Sequence, residues 1–240
     1  VVVAGGTGSR LGGEPKQFRL LGGRPLLAWS CARFRTHPGV DGLVVVLPAE
    51  LAADPPAWLV AFDPVVVAGG ETRQASVNRG LEAACAAGAA GVADEIVLIH
   101  DAARPFLSAD LLTRLLEAAA SGPVIPVVEL ADAIKRLDSR AHATDSPAAT
   151  IESTLDRTRL RGAQTPQAFP LELIRDLHAR AADDPAATPA PDDAALCESA
   201  GVPVQAIPGE GNALKITHAE DLAFAEWLVE SGRITWPKES

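Results

Sequence analysis

The chain begins with an apolar strand that runs directly into a glycine-rich loop, and this junction constrains the fold most. Residues 1–17 read VVVAGGTGSRLGGEPKQ, in which three glycines within the first eight residues precede two separated cations, Arg10 and Lys16. Glycine lets a backbone turn sharply and approach a ligand closely, so that its N–H groups can face phosphate oxygens. The segment therefore predicts an anion-binding loop at the end of a strand.

The spacing within this loop separates three kinds of phosphate-binding motif. A dinucleotide fingerprint would need its third glycine at Leu11 and an acidic residue near Leu47, where the second strand ends. A Walker A loop would need a lysine directly behind the glycines, whereas Pro15 precedes Lys16. The remaining possibility is a loop in which Arg10 and Lys16 flank a polyphosphate, as nucleotidyl transfer requires. A glycine-rich surface turn with two solvated cations is the structural alternative.

The composition limits the class of protein and its partners. The 240 residues suffice for one domain with a buried core, since 48% of them are hydrophobic. A formal charge of −10 gives an unfavourable mean field for nucleic acid or an anionic membrane, so we expect neither as a partner.

The cysteines and the apolar runs bear on the compartment. Cys31, Cys85 and Cys197 are odd in number and form no Cys-x-x-Cys pair, so neither a disulfide framework nor a zinc site is expected. Neither an apolar run of membrane length nor a signal peptide is recognisable. We therefore expect a cytoplasmic protein.

Strands and helices alternate over the first half of the chain. Apolar runs predict strands at 1–4, 43–47, 65–68, 95–99 and 124–128, and helical spacing predicts helices at 25–35, 72–87 and 108–120. Such alternation is typical of a doubly wound, mostly parallel, Rossmann-like α/β sheet. Ligands bind outside the carboxyl ends of strands in these sheets, so the polar loops that contain Glu71 and Asp101 are expected beside the glycine loop.

The alternation stops after Val128, and residues 129–164 form a long polar segment. Because a structureless segment of this length is uncommon in a compact domain, we expect a protruding arm with short strands of its own. Beyond it we predict helices at 170–181 and 192–200, short strands at 204–207 and 214–216, and a last helix through Glu230. Thr217 and Glu220 fit a capping box at the start of that helix. Residues 1–240 are thus expected to form a single domain that includes the arm.

Asp101 is the candidate metal ligand. It follows an apolar strand at the expected ligand edge, where a carboxylate can bind Mg²⁺ through one or two oxygens while phosphates complete its shell. Capping of a helix or turn is the structural alternative. The neighbouring His100 is more typical of a buried structural histidine than of a catalytic one.

Four further side chains have one functional and one structural interpretation each. Glu71 and Ser76 can recognise a base through short hydrogen bonds, although a carboxylate at a helix start is also ordinary dipole chemistry. Arg157, within a cluster of three arginines, and the isolated Lys215 can each bind a second phosphate or remain solvated. The residues alone leave these alternatives open.

Four motifs spread along nearly the whole chain support the functional interpretation. They are AGGTGSRLG at 4–12 with PKQ at 15–17, GGETR at 69–73, HDAARP at 100–105 and TPQ at 165–167. Together they resemble the 2-C-methyl-D-erythritol 4-phosphate cytidylyltransferase family of the non-mevalonate isoprenoid pathway. The glycine loop alone marks only the wider nucleotidyltransferase superfamily, whereas the short spacing from Arg10 to Lys16 and the HDAARP motif are more specific.

The resemblance implies a cytidylyltransferase that joins CTP to 2-C-methyl-D-erythritol 4-phosphate and releases pyrophosphate, with Mg²⁺ bound to Asp101. It also implies a homodimer in which each subunit extends its arm over the substrate pocket of the other. The residues implied in CTP binding are Ala4, Gly5, Gly6, Thr7, Gly70, Glu71 and Ser76. The catalytic cations implied are Arg10, Lys16 and Lys215, and the implied substrate contacts are Asp101, Arg104, Lys135, Arg157 and Thr165.

Two positions depart from the family pattern. Ala133 stands where the family often has threonine, which removes a hydroxyl that could contact the substrate phosphate. Asn212 stands where an aspartate is common, which removes a carboxylate from the polyol side of the pocket. Two alternative functions stay open. The related ribitol 5-phosphate cytidylyltransferases have similar loops, and a nucleotide-binding regulator with little turnover would belong to another functional class.

Overall fold

The computed structural model describes residues 1–6, 15–89, 95–138, 149–183 and 189–237. The strands in chain order are β1 (Val2–Val3), β2 (Leu20–Leu21), β3 (Arg24–Pro25), β4 (Val44–Leu47), β5 (Val65–Ala68), β6 (Ile96–Asp101), β7 (Val124–Glu129), β8 (Lys135–Leu137), β9 (Ile151–Thr154), β10 (Arg161–Ala163), β11 (Gln167–Pro170) and β12 (Gln205–Pro208). The helices are α1 (Leu26–Arg35), α2 (Ala49–Ala53), α3 (Ala57–Val60), α4 (Arg73–Ala84), α5 (Ala109–Ala119), α6 (Leu171–Asp183), α7 (Asp193–Ser199) and α8 (Ala219–Glu230). Short helical turns lie at Lys16–Phe18, Cys85–Ala89 and Arg157–Arg159.

Eight of the described strands form one central sheet in the order β10-β7-β11-β6-β1-β4-β5, and β12 pairs with β7. β1 pairs in parallel with both β4 and β6, and β4 pairs in parallel with β5. The mostly parallel, doubly wound sheet predicted from the sequence is therefore confirmed. Because the chain moves outward from β1 to β5 on one side and continues with β6 on the other, the strand order reverses between β1 and β6. Such a reversal is where open α/β sheets bind ligands.

The sheet is covered on both faces, and the side chains of its strands alternate between them. Val2 and Leu98 belong to a core cluster with α1 and α5, whereas Val97 and Ile99 belong to a second cluster with α4 and α6. Burial on both faces is typical of a largely parallel sheet and explains why its strands read as continuous apolar runs.

The antiparallel part of the sheet was not predicted. β11 lies between β6 and β7 and pairs antiparallel with both, so that Gln167 is opposite Ile99. Its buried Phe169 contributes to the second core cluster, and α6 begins directly after it. The four-residue strand is short, and the sequence pattern shows only the helix that follows.

Two predictions near the carboxyl end of the sequence are wrong. Residues 214–216 form no strand: Ile216 packs into an apolar cluster with α8, and its backbone N–H donates to the carbonyl of Ala103 at 2.8 Å. The predicted capping box of Thr217 and Glu220 is replaced by the carboxylate of Asp221, which accepts hydrogen bonds from the N–H groups of Thr217 (2.8 Å) and His218 (2.7 Å).

The polar segment after β7 contains short strands, as expected for an arm. β8 and β9 pair antiparallel as a separate two-stranded sheet, and β10 pairs with β7 at the edge of the central sheet. Residues 139–148 within this segment lie outside the described residues.

None of the described helices has the length and apolar character needed to cross a membrane.

Candidate active site

The glycine loop leaves β1 at the point where the strand order reverses. The buried Ala4 donates its backbone N–H to Val46 of the neighbouring strand at 2.8 Å. The side chain of Gln17, also buried, donates to the carbonyls of Ala4 (2.6 Å) and Gly6 (3.2 Å) and so ties the return of the loop to its start. Sequence reasoning missed this role, although Gln17 belongs to the PKQ motif.

Several predicted phosphate-binding residues belong to the middle of this loop. Thr7 and Arg10 lie outside the described residues. Lys16 is placed by its backbone in the helical turn Lys16–Phe18.

A second loop, between β5 and α4, lies against the glycine loop. A Cβ atom built on Gly5 would lie 3.4 Å from the hydroxyl of Ser76, and one built on Gly70 would lie 2.5 Å from Cβ of Ala75. The Ser76 hydroxyl accepts the N–H of Gly70 (3.1 Å) and donates to the carbonyl of Thr72 (2.9 Å). The structure thus brings Gly5, Gly70 and Ser76 together, with the exposed Glu71 in the same turn.

Asp101 ends β6 beside both loops, and each of its carboxylate oxygens faces a cation. Oδ1 accepts from Nε of Arg73 at 3.0 Å, and Oδ2 accepts from Nζ of Lys215 at 2.7 Å. Burial raises the pKa of Asp101, but the charges and hydrogen bonds of Arg73 and Lys215 outweigh burial and hold that pKa well below its usual range. The carboxylate is therefore ionised at neutral pH.

Arg73 extends this cluster into the protein interior. Its Nη2 donates to Oδ2 of Asp193 at 2.8 Å, and the other oxygen of Asp193 lies 2.9 Å from Nε2 of His178. Burial lowers the pKa of Arg73, but Asp193 and Asp101 more than offset it and raise the pKa above its ordinary value. Sequence reasoning missed these partners of Arg73. Its position at the start of α4, directly behind a polar loop at the ligand edge, was the available signal.

His100 lies behind Asp101 in a fully buried position. Its Nε2 lies 3.0 Å from the carbonyl of Arg104 and its Nδ1 lies 3.1 Å from the hydroxyl of Thr165, which also accepts the backbone N–H of Asp101 at 3.1 Å. Because a carbonyl only accepts, Nε2 carries the proton and Nδ1 accepts from Thr165. Burial lowers the pKa of His100 to about 3, so the ring is neutral. The structure therefore gives His100 the structural role that the sequence favoured.

Lys215 belongs to a loop that two side chains hold against the sheet. Arg104 donates to the carbonyls of Ala213 (2.8 Å) and Ala163 (3.3 Å). Gln164 donates to the carbonyl of Glu210 (2.8 Å) and accepts its N–H (3.0 Å). The guanidinium of Arg104, predicted as a substrate contact, thus bonds to the backbone beside Lys215, and Gln164 is a further positioning side chain that the sequence analysis did not identify.

Two predicted substrate residues lie in or near the arm. Lys135 donates from Nζ to the hydroxyl of Thr154 at 2.8 Å, which links β8 to β9. Arg157 donates to the carbonyls of Leu130 (3.0 Å) and Ala131 at the base of the arm. These bonds stay within the segment from β7 to β10.

Asp101 fits a magnesium ion of the kind implied by the resemblance. Its carboxylate is ionised and 13% exposed, and oxygen atoms are the ligands that Mg²⁺ prefers. Within the described ranges, no group of three or more His, Cys, Asp or Glu side chains could hold a metal ion. A metal at Asp101 would therefore take most of its ligands from phosphate and water, which is common for Mg²⁺.

Sequence comparison shows which protein family this chain resembles. The family model described as IspD, 2-C-methyl-D-erythritol 4-phosphate cytidylyltransferase, matches residues 1–231. The enzyme of that name from Thermus thermophilus is 41% identical over 229 residues, which cover 95% of both chains. A bifunctional IspD/IspF enzyme of Rhodopseudomonas palustris is 43% identical over 94% of this chain. This chain spans only 54% of that relative, about half its length.

Solved structures agree as well. The crystal structure of the Thermus thermophilus enzyme superposes with a TM-score of 0.75 at 35% identity, covering 97% of this chain and 98% of that one. A crystal structure of a 4-diphosphocytidyl-2C-methyl-D-erythritol synthase gives a TM-score of 0.73 at 32% identity, over 89% of this chain and 93% of the other. On these matches, the chain belongs to the 2-C-methyl-D-erythritol 4-phosphate cytidylyltransferase family.

Proposed function

We propose that this chain transfers CMP from CTP to 2-C-methyl-D-erythritol 4-phosphate and releases pyrophosphate. The observation that carries the proposal is the ionised Asp101 with Arg73 and Lys215 on its two oxygens, beside a glycine loop where the strand order reverses. This arrangement places the exposed ammonium of Lys215 at the edge where a polyphosphate would bind. Membership of the family supports CTP and 2-C-methyl-D-erythritol 4-phosphate as the two substrates.

The chemistry needs positive charge more than it needs a general base. A phosphate monoester has a second pKa near ~6, so at neutral pH it is mostly a dianion that can attack phosphorus directly. One of its oxygens forms a bond to the α-phosphorus of CTP, while the bond from that phosphorus to the β-phosphate oxygen breaks and pyrophosphate leaves. Negative charge accumulates as two anions meet, and preorganised cations stabilise it. This reaction therefore needs neither a Ser-His-Asp triad nor a pair of carboxylates for acid–base catalysis.

Each cation has a place in this proposal. Arg10 and Lys16 hold the triphosphate, and Lys215 contacts the transferred phosphate. Lys215 suits this role because its side chain is 43% exposed and its compact ammonium sits on a flexible stem. Asp101 would hold Mg²⁺, which when bound supplies further positive charge to the phosphates.

The base and the polyol would lie on opposite sides of these phosphates. Gly70, Glu71 and Ser76 surround the cytosine beside Ala4, Gly5, Gly6 and Thr7. The hydroxyl of Ser76 is already hydrogen-bonded within the Gly70 turn. We therefore infer that the backbone of this turn and Glu71 form the hydrogen bonds to the cytosine.

The polyol phosphate is proposed to lie between Asp101, Arg104 and Thr165 of one subunit and the arm of a second. In such a homodimer, Lys135 and Arg157 would complete the pocket of the neighbouring subunit. A cytoplasmic location is part of the proposal, and it is supported by three cysteines that are all unpaired thiols.

The test measures pyrophosphate release from CTP with each of two acceptors, methylerythritol 4-phosphate and ribitol 5-phosphate. The proposal predicts the higher kcat/KM with the methylerythritol phosphate. Ala133 and Asn212 differ from common family residues on the substrate side of the pocket, so the acceptor must be tested directly. A higher kcat/KM with ribitol 5-phosphate would show that the proposed acceptor is wrong. No release with either acceptor, while CTP still binds, would identify a nucleotide-binding regulator instead.

A further inference from the structure

We infer that Asp193 is a positioning residue for this reaction: it fixes the guanidinium of Arg73, and through it the carboxylate of Asp101. The inference rests on the proposed function for its kinetic consequence, but its geometry is independent of any substrate. Asp193 lies in none of the four motifs, and it follows Asp101 by nearly a hundred residues.

Arg73 joins the carboxylate of Asp101, at the ligand edge, to a more deeply buried one. Its Nε faces Asp101 at 3.0 Å and its Nη2 faces Asp193 at 2.8 Å. The exposed fraction of the side chain falls from 28% at Arg73 to 1% at Asp193. Because a guanidinium is planar and rigid, an acceptor that fixes Nη2 also fixes the direction of the Nε–H bond. Asp193 therefore orients the donor that Asp101 accepts.

Asp193 is itself held firmly. Its second oxygen accepts from Nε2 of His178, a side chain on α6 with no exposed surface. Gln167 of β11 donates to the carboxylate of Asp192 (2.8 Å) and accepts the N–H of Ala194 (3.1 Å), which fixes the start of α7 where Asp193 lies. A hydrogen bond from α6 thus holds the carboxylate of Asp193, and bonds from β11 hold its two neighbours in the chain, whereas Asp101 stands at a strand end.

The charges also point to a positioning role. Arg73 and Lys215 provide two positive charges, and Asp101 and Asp193 provide two negative ones. Without Asp193, the charge of Arg73 would be balanced by Asp101 alone, whose other oxygen already binds Lys215. A buried ion pair is weak evidence for stability, since apolar side chains of similar size often stabilise a core equally well. Orientation of Arg73 explains the buried charge better.

The decisive variant is Asp193→Asn. The side chain keeps its size, but its single carbonyl oxygen can accept from Arg73 or from His178 and its amide group faces the other donor. We expect kcat to fall about 10- to 100-fold, because a small misplacement of groups near a reacting centre slows the reaction by such factors. The KM for CTP should change little, because both hydrogen bonds described for Arg73 go to carboxylates of the chain itself.

Two controls separate positioning from loss of stability. Cys197→Ala alters another fully buried side chain of α7, which has no hydrogen bond to Arg73 among the described residues, so it should lower Tm but leave kcat unchanged. His178→Gln keeps an N–H donor for Asp193 and should restore most of the kcat that His178→Leu loses. Equal kcat in Asp193→Asn and Cys197→Ala, at comparable losses of Tm, would overturn the inference.

A spectroscopic measurement tests the geometry without substrates. The Nε–H of Arg73, assigned in a ¹H–¹⁵N spectrum by its loss in Arg73→Lys, should exchange slowly with water in the wild type and at least about tenfold faster in Asp193→Asn. Unchanged exchange would contradict the inference even if the enzyme were inactive. Conversely, faster exchange in a protein that does not use methylerythritol phosphate would retain the positioning role and reject only the proposed function.

A double variant tests whether Asp193 acts through Arg73. If it does, Asp193→Asn should cost little further kcat in the Arg73→Lys background, since the oriented fork is already lost. Fully multiplicative losses would mean that Asp193 acts by another route. Should Asp193→Asn fail to fold, Asp193→Glu keeps the charge and shifts the carboxylate by one methylene. It should lower kcat and move the Arg73 Nε–H signal, and wild-type values for both would contradict the inference.

Discussion

Lys215 Nζ lies 2.7 Å from Oδ2 of Asp101, although 114 residues separate the two along the chain. The lysine side chain is 43% exposed and the aspartate 13%, so this pair lies at the edge of the site. The ammonium group of Lys215 is the exposed member of the pair, and its flexible four-carbon stem lets it turn towards a ligand. We therefore interpret Lys215 as a cation held in place for an incoming phosphate, and Arg73, on the other oxygen, as the fixed partner.

Replacement of Asp101 by asparagine tests the metal assignment. Asp101→Asn keeps the size of the side chain but removes the charge, and its amide group would face Arg73 or Lys215. We expect kcat/KM to fall about 100-fold or more, with a higher Mg²⁺ concentration needed for half-maximal rate. Circular dichroism should show an intact fold. An unchanged Mg²⁺ dependence would mean that Asp101 does not bind the metal.

Gly70→Ala tests the close packing of the second loop. The added Cβ would lie 2.5 Å from Cβ of Ala75, so the turn must shift. We expect a loss of about 1–3 kcal/mol in the free energy of unfolding and a higher KM for CTP. Gly42→Ala is the matched control, because a Cβ there meets no atom within 4 Å. Equal effects of the two substitutions would contradict the proposed packing at the base site.

His100 should make stability depend on pH. Burial holds its pKa at about 3 in the folded protein, against 6.5 for an ordinary histidine. Between these values the unfolded chain binds a proton that the folded one does not, so stability is full above pH 6.5 and falls as the pH decreases towards 3. Urea unfolding from pH 7 to pH 4 should show up to about 1.4 kcal/mol more loss per pH unit in the wild type than in His100→Gln. Parallel curves for the two proteins would contradict a neutral, buried His100.

The arm predicts complementation between inactive subunits. Lys16→Ala and Arg157→Ala should each be nearly inactive, and we would unfold and refold them together. If Arg157 acts in the partner's site, a mixed dimer contains one site with both defects and one with neither. Random pairing should then restore about a quarter of the wild-type activity. With mixed dimers confirmed, no recovery would assign Arg157 to its own subunit or to a solvated surface.

The sequence predicted the parts of the fold that depend on local periodicity. The apolar strands at Val44–Leu47 and Val65–Ala68 and the helix beginning near Arg73 are found within a few residues of the predicted bounds. The rule that polar loops meet at the carboxyl ends of parallel strands also correctly predicted that the loops of Gly5, Gly70 and Asp101 share one edge of the sheet.

The failures arise where tertiary contacts decide. Leu214 and Ile216 alternate as in a strand, yet they pack against α8 without a sheet neighbour. β11 is too short for its pattern to distinguish a strand from the first turn of a helix. The pairing of Arg73 with Asp193 joins residues 120 positions apart, and no spacing rule connects polar side chains over such a distance.

The most direct test of the account follows the oxygen atoms of the phosphate monoester. Methylerythritol 4-phosphate labelled with ¹⁸O in its phosphate group is incubated with CTP, Mg²⁺ and the protein, and the products are examined by mass spectrometry and ³¹P NMR. If the monoester oxygen attacks the α-phosphorus, all of the label is retained in the product, in which a diphosphate joins cytidine to methylerythritol. The pyrophosphate then contains no label. Label in the pyrophosphate, or no formation of the cytidine-diphosphate-linked product, would contradict direct attack of the monoester on CTP.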